Sequence, residues 1–347
     1  MPAVARISVR ASVMAAIMVL AVSPTAWAGW TPGGKDTGSE TQVDGGEKDG
    51  ALSANAGAVV FDRSKNGTGE AAGPVTSSDA NWTPPACYYA PKYTPDQFQK
   101  HVEPTWESES TGYQWDAQQR DRYVNGEPYK NFNKDKAGEG YWWDSYVTEG
   151  RAGDPGALDC TKPWFWVDNG DPPPADVPEA VTPEVLAQLA YNEIQVPSTK
   201  VELAPEGTTK VNLPTWSWLD AAEFKPVSVT ASVPLLDIEA TTTAEPVSLK
   251  IEPGTDDATT YPASGECEIN ADGSIGEPYA KGKADETPPC GVKYLRSSGD
   301  GTYKLTATVT WKIHWVGTGV NGEQPLPDGE FGAQQDVIVQ EIQAVNR

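Results

Sequence analysis

Histidine is almost missing from this chain. Only 2 occur in 347 residues, His101 and His314, so catalysis or metal binding built on imidazole has little to draw on. Neither an H-E-x-x-H nor a G-x-S-x-G pattern is present. His101 sits beside Lys100 in a short helical stretch. His314 falls on the polar side of an alternating run. Both read as surface residues. Basic charge is also scarce: 26 Lys and Arg face 49 Asp and Glu, for a net charge of −23. Such a surface repels phosphate backbones and anionic lipid, which excludes nucleic acid as a partner class.

Long apolar runs are lacking as well. The longest, Val13 to Val22, falls short of the roughly twenty residues a membrane span needs, so the product is not expected to cross a bilayer. Arg6 and Arg10 precede that run and Ala26-Trp27-Ala28 follows it. This is the order of a secretory signal peptide, expected over 1–28 with cleavage before Gly29. No cysteine follows that site, so no lipid anchor is expected. Cysteine is itself sparse, at 4 residues: Cys87, Cys160, Cys267 and Cys290. An even count in an exported chain points to disulfides, with three pairings open. Cys87–Cys160 and Cys267–Cys290 are favoured, because each pair then lies within one compositional unit.

What is present falls into blocks. Residues 29–80 are rich in Gly, Ser and acids and offer little to bury, so a flexible segment is expected. Only Ala58-Val59-Val60-Phe61 has the chemistry to dock on the folded part. Residues 81–170 hold more than half of the chain's Trp, Tyr and Phe but few aliphatics. A core there must come from ring packing and a disulfide. Thr94-Pro95-Asp96 signals a helix start, and Asp116 to Val124 reads as a second helix stopped by Asn125-Gly126. Residues 171–197 are a Pro-rich linker and then a helix. That helix starts at Thr182-Pro183-Glu184, carries the stripe Leu186, Leu189, Ala190, Ile194, and stops at Pro197.

Residues 198–347 read as strands. Short ones are expected at Val201–Leu203, Lys210–Leu213, Val227–Val233 and Val247–Ile251, with a last one at Gln335–Val345. Between them runs Tyr303 to Trp315, with Tyr303, Leu305, Ala307, Val309, Trp311, Ile313 and Trp315 on one face. At about 3.3 Å per residue it would reach roughly 43 Å, so a bend or bulge is expected within it. The predicted fold class is mainly β: a C-terminal immunoglobulin-like β-sandwich, preceded by a small aromatic-rich, disulfide-bonded α+β unit and one amphipathic helix.

Val211-Asn212-Leu213-Pro214-Thr215-Trp216, Cys290-Gly291-Val292-Lys293-Tyr294, the Tyr303–Trp315 run and Glu341-Ile342-Gln343-Ala344-Val345 carry a resemblance. So do Trp82-Thr83-Pro84-Pro85-Ala86-Cys87 and Tyr141-Trp142-Trp143-Asp144. Over residues 82 to 347 the chain resembles uncharacterised exported proteins of high-GC Gram-positive bacteria with a C-terminal polycystic-kidney-disease-like (PKD-like) sandwich. The resemblance implies that fold and an extracellular place, and it carries no activity. The family's Asp-Gly-Asp-rich turn is replaced here by Lys250-Ile251-Glu252-Pro253-Gly254, so no ion contacts are carried over.

Three further motifs bear on chemistry. Gly317-Thr318-Gly319-Val320-Asn321-Gly322 fits G-x-G-x-x-G after a strand, but Glu323-Gln324-Pro325 cannot open the helix a dinucleotide site requires. It reads as a loop between strands. Asp168-Asn169-Gly170-Asp171 and Asp256-Asp257 lack the ligand spacing of a calcium loop. No metal and no cofactor is expected. Tyr141, Trp142, Trp143 and Asp144 form the one candidate ligand platform, for a cell-wall glycan or an extracellular protein, against a competing reading in which the rings are core. The function expected is that of an exported, non-enzymatic binding or structural protein at or outside the cell surface. The alternative is a secreted glycoside or peptide hydrolase using carboxylates among the aromatics: Asp116, Asp121, Asp144 and Asp168.

Overall fold

The computed structural model describes residues 59–68, 71–108, 110–219 and 224–342. The expected signal peptide and most of 29–80 lie outside the described residues. The first described stretch carries β1 (Val60–Lys65), β2 (Gly73–Pro74) and β3 (Thr76–Ser77). The aromatic-rich region supplies β4 (Cys87–Tyr93), α1 (Pro95–Glu107), α2 (Tyr113–Tyr123), β5 (Gly140–Val147) and β6 (Phe165–Asp168). Next come α3 (Pro183–Asn192), β7 (Gln195–Val196), β8 (Glu202–Ala204), β9 (Thr208–Lys210) and β10 (Thr215–Leu219). The chain continues through β11 (Val227–Val233), β12 (Ile238–Glu252), β13 (Ala258–Tyr261), β14 (Glu266–Glu268) and β15 (Ile275–Gly276). It closes with β16 (Gly291–Tyr294), β17 (Tyr303–Gly317), β18 (Gln324–Pro325) and β19 (Gly329–Gln340).

β17 is central. The large sheet runs β1-β11-β12-β17-β19-β3, with β14 added to β12, β18 to β17 and β9 to β19. Along β17 Leu305, Ala307, Val309, Trp311, Ile313 and Trp315 are buried, while Lys304, Lys312 and Val316 are exposed. The expected facing therefore holds. The bend expected within β17 lies instead in its neighbour. Pairing of β17 with β19 runs unbroken from Tyr303↔Val337 to Trp311↔Gly329, whereas β12 shifts register between Pro246 and Ser248. Pro246 has no N–H to give the ladder, so the irregularity falls there.

The second sheet, β13-β16-β10-β15 with β8 on β10, shares one core with the large sheet. Leu219, Ile275, Val292 and Tyr294 meet Leu249, Val309 and Trp311 in that core. Cys267 on β14 bonds Cys290, just ahead of β16, so this disulfide ties the two sheets together. α3 lies against β11, β12 and β17. Its Thr182 hydroxyl caps the helix by accepting from the Val185 N–H at 3.2 Å. Where α3 approaches, β12 is built of small residues, Ala240, Thr242 and Ala244, and the Thr242 hydroxyl donates to the Ala187 carbonyl at 2.8 Å. Sequence reading found only the second half of β12, because Ala and Thr carry a weaker strand signal than Val, Leu and Ile.

Several boundaries differ from expectation, among them the strand expected at Lys210–Leu213, which lies earlier, at Thr208–Lys210. The flexible segment does not extend through 60–65: β1 pairs antiparallel with β11, Phe61 opposite Ala231, and β3 pairs β19 on the far side of the sheet. The same short stretch of chain thus covers part of both sheet edges, which would otherwise offer open ladders. The last strand also lies earlier than Gln335–Val345, at Gly329–Gln340.

Candidate functional site

The candidate platform lies on β5, the middle strand of the third sheet, β4-β5-β6. Successive strand residues point to opposite faces, so Trp142 and Trp143 cannot share one. Both faces are covered. Trp142 joins a cluster with Tyr93, Phe98, Val102, Trp106, Tyr123, Phe132 and Trp164 beneath the two helices. Trp143 belongs to the main core with Tyr89 and Phe165. The Phe98 and Trp142 rings lie 4.5 Å apart, the Tyr129 and Trp142 rings 4.7 Å in an edge contact.

The platform expectation is therefore corrected. Trp142, Trp143 and Asp144 are 0%, 1% and 1% exposed, and no ring among them is open to stack on a ligand. Tyr141 is half-buried against the main core. The competing reading, in which these rings are core, is the one the geometry bears out. It has the physical reason given at the outset: a region poor in aliphatics must bury its rings to have a core.

The turn below Trp142 was not legible in the sequence. Asn131, Phe132 and Asn133 all take left-handed backbone angles, with φ of 44°, 57° and 55°. Such angles cost about 1–3 kcal/mol each. The cost is offset where Phe132 is buried against Phe98 and Trp106 and its carbonyl accepts from the Trp142 indole N–H at 3.0 Å. Ahead of α1, Thr94 and Gln97 form a reciprocal capping box. That fixes the helix carrying Phe98 and Trp106 into the cluster.

Asp144 has a partner that sequence reading missed. Lys92 Nζ lies 3.1 Å from Asp144 Oδ2, with side chains 2% and 1% exposed. Lys92 sits where β4 shifts register between Pro91 and Tyr93. Its ammonium lies 4.9 Å from the centre of the Tyr146 ring and 5.6 Å from that of Tyr93. Asp144 Oδ1 accepts the Ser145 N–H at 2.8 Å. Burial pushes the Asp144 carboxyl up from its ordinary range, against the pull of Lys92 and the Ser145 N–H. The signal that was there to be used is Lys92 itself, one charge inside the apolar run Tyr88-Tyr89-Ala90-Pro91-Lys92-Tyr93.

The other carboxylates are scattered among local partners. Asp116 is buried, and its Oδ1 accepts from the Thr111 hydroxyl. Asp121 accepts from the Asn125 side chain at 2.7 Å. Asp168 accepts from the Trp166 indole at 2.7 Å and from Lys136 at 3.2 Å, and these two hold its carboxyl below the usual range. His314 Nε2 is 3.8 Å from Glu323, and His101 stacks on Tyr93 at 4.8 Å. The glycine-rich Gly317–Gly322 stretch joins β17 to β18, which turns back to pair Trp315 with Gln324. It is a hairpin loop, as expected.

Both favoured disulfides are present, Cys87–Cys160 and Cys267–Cys290. A depression beside the second is lined by Val247, Ser248, Ser264, Glu266, Glu268, Pro289 and the two cysteines. Among the described residues no group of three or more His, Cys, Asp or Glu is placed to hold a metal ion. No described helix is long and apolar enough to cross a membrane. No family model, curated protein or solved structure matches the chain.

Proposed function

We propose that the chain is an exported, non-enzymatic protein that serves a structural or protein-binding role at or outside the cell surface. The observation that carries this reading is the burial of Trp142 and Trp143 within a disulfide-bonded region. Rings spent on a core are unavailable for sugar stacking, which favours an extracellular protein over a cell-wall glycan as partner. Two disulfides fit an oxidising compartment, since such bonds are rare in the cytosol. The signal-peptide pattern at 1–28 and the PKD-like resemblance point the same way. The hydrolase reading loses support from the same geometry. Asp144 is sealed from any substrate, and Asp168 has a lowered carboxyl pKa where a general acid needs a raised one.

Fractionation of the cells that make it, with N-terminal sequencing of the product, tests the reading. The expected product begins at Gly29, lies outside the cytosol with both disulfides formed, and leaves a panel of glycans and peptides uncleaved. Met1 retained on a reduced cytosolic product would overturn export. Cleavage activity lost on Asp116→Asn or Asp121→Asn would overturn the non-enzymatic reading.

A further inference from the structure

Lys92 and Asp144 are the most completely buried ion pair among the described residues. Withdrawing two charges from water costs more than their attraction readily returns. Around them stand rings, with the Tyr93 and Tyr146 faces toward the nitrogen. Those faces favour the ammonium, while burial favours the uncharged forms; one proton passing from Nζ to Oδ2 converts the two buried charges into a neutral amine and a neutral acid. Burial raises the pKa of the Asp144 carboxyl, which favours the acid half of that pair. A neutral amine held against a neutral carboxylic acid is the reactant pair of amide formation.

The two carboxyl oxygens are already assigned different partners. Oδ2 faces the amine at 3.1 Å. Oδ1 is held by the Ser145 N–H at 2.8 Å, where a backbone donor can stabilise the negative charge that develops as the carbonyl carbon is attacked. We propose that Lys92 and Asp144 condense into an isopeptide bond, a covalent cross-link that the chain makes between β4 and β5. The lone pair of Nζ attacks Cγ, and negative charge gathers on Oδ1. The C–Oδ2 bond then breaks, Oδ2 keeping its own proton and taking one from nitrogen. One amide forms and one water leaves. No electron is transferred and no further reactant is consumed.

Fixed juxtaposition supplies the rate. Well-oriented intramolecular reactions reach effective molarities of about 10⁵–10⁸ M. The same burial keeps bulk water from the finished amide. The cross-link would complete a pattern in β4. Cys87 at the strand's start is bonded to Cys160, and Lys92, near its end, would be bonded to Asp144. The inference depends on neither export nor a partner, so it stands or falls separately from the function proposed above.

The test is the mass of the full chain, purified folded, then denatured and reduced. The expected value is lighter than the sequence by one water. Protease mapping should yield a branched peptide joining the segments around Lys92 and Asp144, with no tryptic cleavage after Lys92. Lys92→Met should abolish the loss. In Asp144→Asn the departing group becomes ammonia, so the linked product should have the same mass as linked wild type. A folded wild-type chain with the full mass of its sequence would overturn the proposal, whether or not the variants fold. A one-water loss with Lys92 still cleaved and no branched peptide would also overturn it, by placing the dehydration elsewhere.

Discussion

The aromatic-rich region and the sandwich solve the same packing problem with opposite materials. In the sandwich, β17 buries one face of aliphatics and tryptophans and leaves Lys312 and His314 on the other. In the aromatic-rich region β5 buries both faces, Trp142 into one cluster and Trp143 into another. A sheet with one wet face writes its orientation into the sequence as alternation. A sheet covered on both sides erases that signal, and adjacent tryptophans then resemble an exposed platform. The lesson is physical: aromatic density reports neither exposure nor binding until both faces of the strand are accounted for.

The sharpest way to break the comparison is to remove one tryptophan from each region. Trp142→Ala and Trp311→Ala are both expected to cost about 3–5 kcal/mol, because each leaves a large cavity in a closed core. Replacement by Phe should separate them. The Trp142 indole donates to the Phe132 carbonyl, whereas the buried Trp311 Nε1 has no partner among the described residues. Trp142→Phe therefore loses a bond that Trp311→Phe does not, worth about 1–3 kcal/mol when a buried group is left unsatisfied. Urea unfolding read by near-UV circular dichroism measures both. A Trp142→Ala chain that keeps its stability would mean the ring is not core.

The disulfides extend the comparison. Cys87–Cys160 closes a sequence separation of 73 and Cys267–Cys290 one of 23. Constraint of the unfolded chain predicts losses of about 4.5 and about 3.5 kcal/mol on replacing each pair by alanine. The aromatic-rich region should thus depend more on its bridge. A larger loss at Cys267–Cys290 would show that tying two sheets together matters more than loop length.

Alkali tests the buried tyrosines. Burial raises Tyr88 and Tyr191 from the ordinary 10.0 to about 12, and it pushes Tyr123 and Tyr294 upward as well. The folded chain keeps protons that the unfolded chain would release. Their contribution to stability is complete below pH 10 and is lost as pH rises toward 12. Tyrosinate absorbance from these residues should appear in the same step as the loss of near-UV ellipticity. Full tyrosine titration ahead of unfolding would show the rings to be accessible.

Legibility followed the same divide. Strand β17, helices α1 to α3 and both disulfides were readable, because alternation and cap residues are local signals and an even cysteine count divides between two compositional units. Strand β1 was half legible: Val59, Val60 and Phe61 marked a docking patch inside a polar segment, but pairing with β11 depends on an edge that sequence does not display. The first half of β12 was hidden by alanines and threonines chosen to admit α3. At the candidate site Asp144 was noticed for the wrong reason. Its role depends on Lys92, 52 residues away, and only the pairing of β4 with β5 brings the two together. The left-handed turn at Phe132 left only a faint trace in its two flanking asparagines, a residue type that tolerates such angles, and none at Phe132 itself.

The smallest effect concerns the wet face of β17. His314 is half-buried, 3.8 Å from the exposed carboxylate of Glu323, and lies opposite Thr243 on β12. With the Glu323 side chain 70% exposed, a contact of this kind contributes about 0–1 kcal/mol, and salt screens it only while the imidazole is protonated. His314→Ala should therefore shift stability by no more than about 0.5 kcal/mol, beside the several kcal/mol expected one step away on either side, at Ile313 or Trp315. Reversal of that order would place His314 toward the core. Because strand side chains alternate with period two, one reversed residue would reverse all of them, and Trp311 with Trp315 would then face water. Melts of His314→Ala and Trp315→Ala, run at low and high salt, decide the facing of the whole sheet from two substitutions.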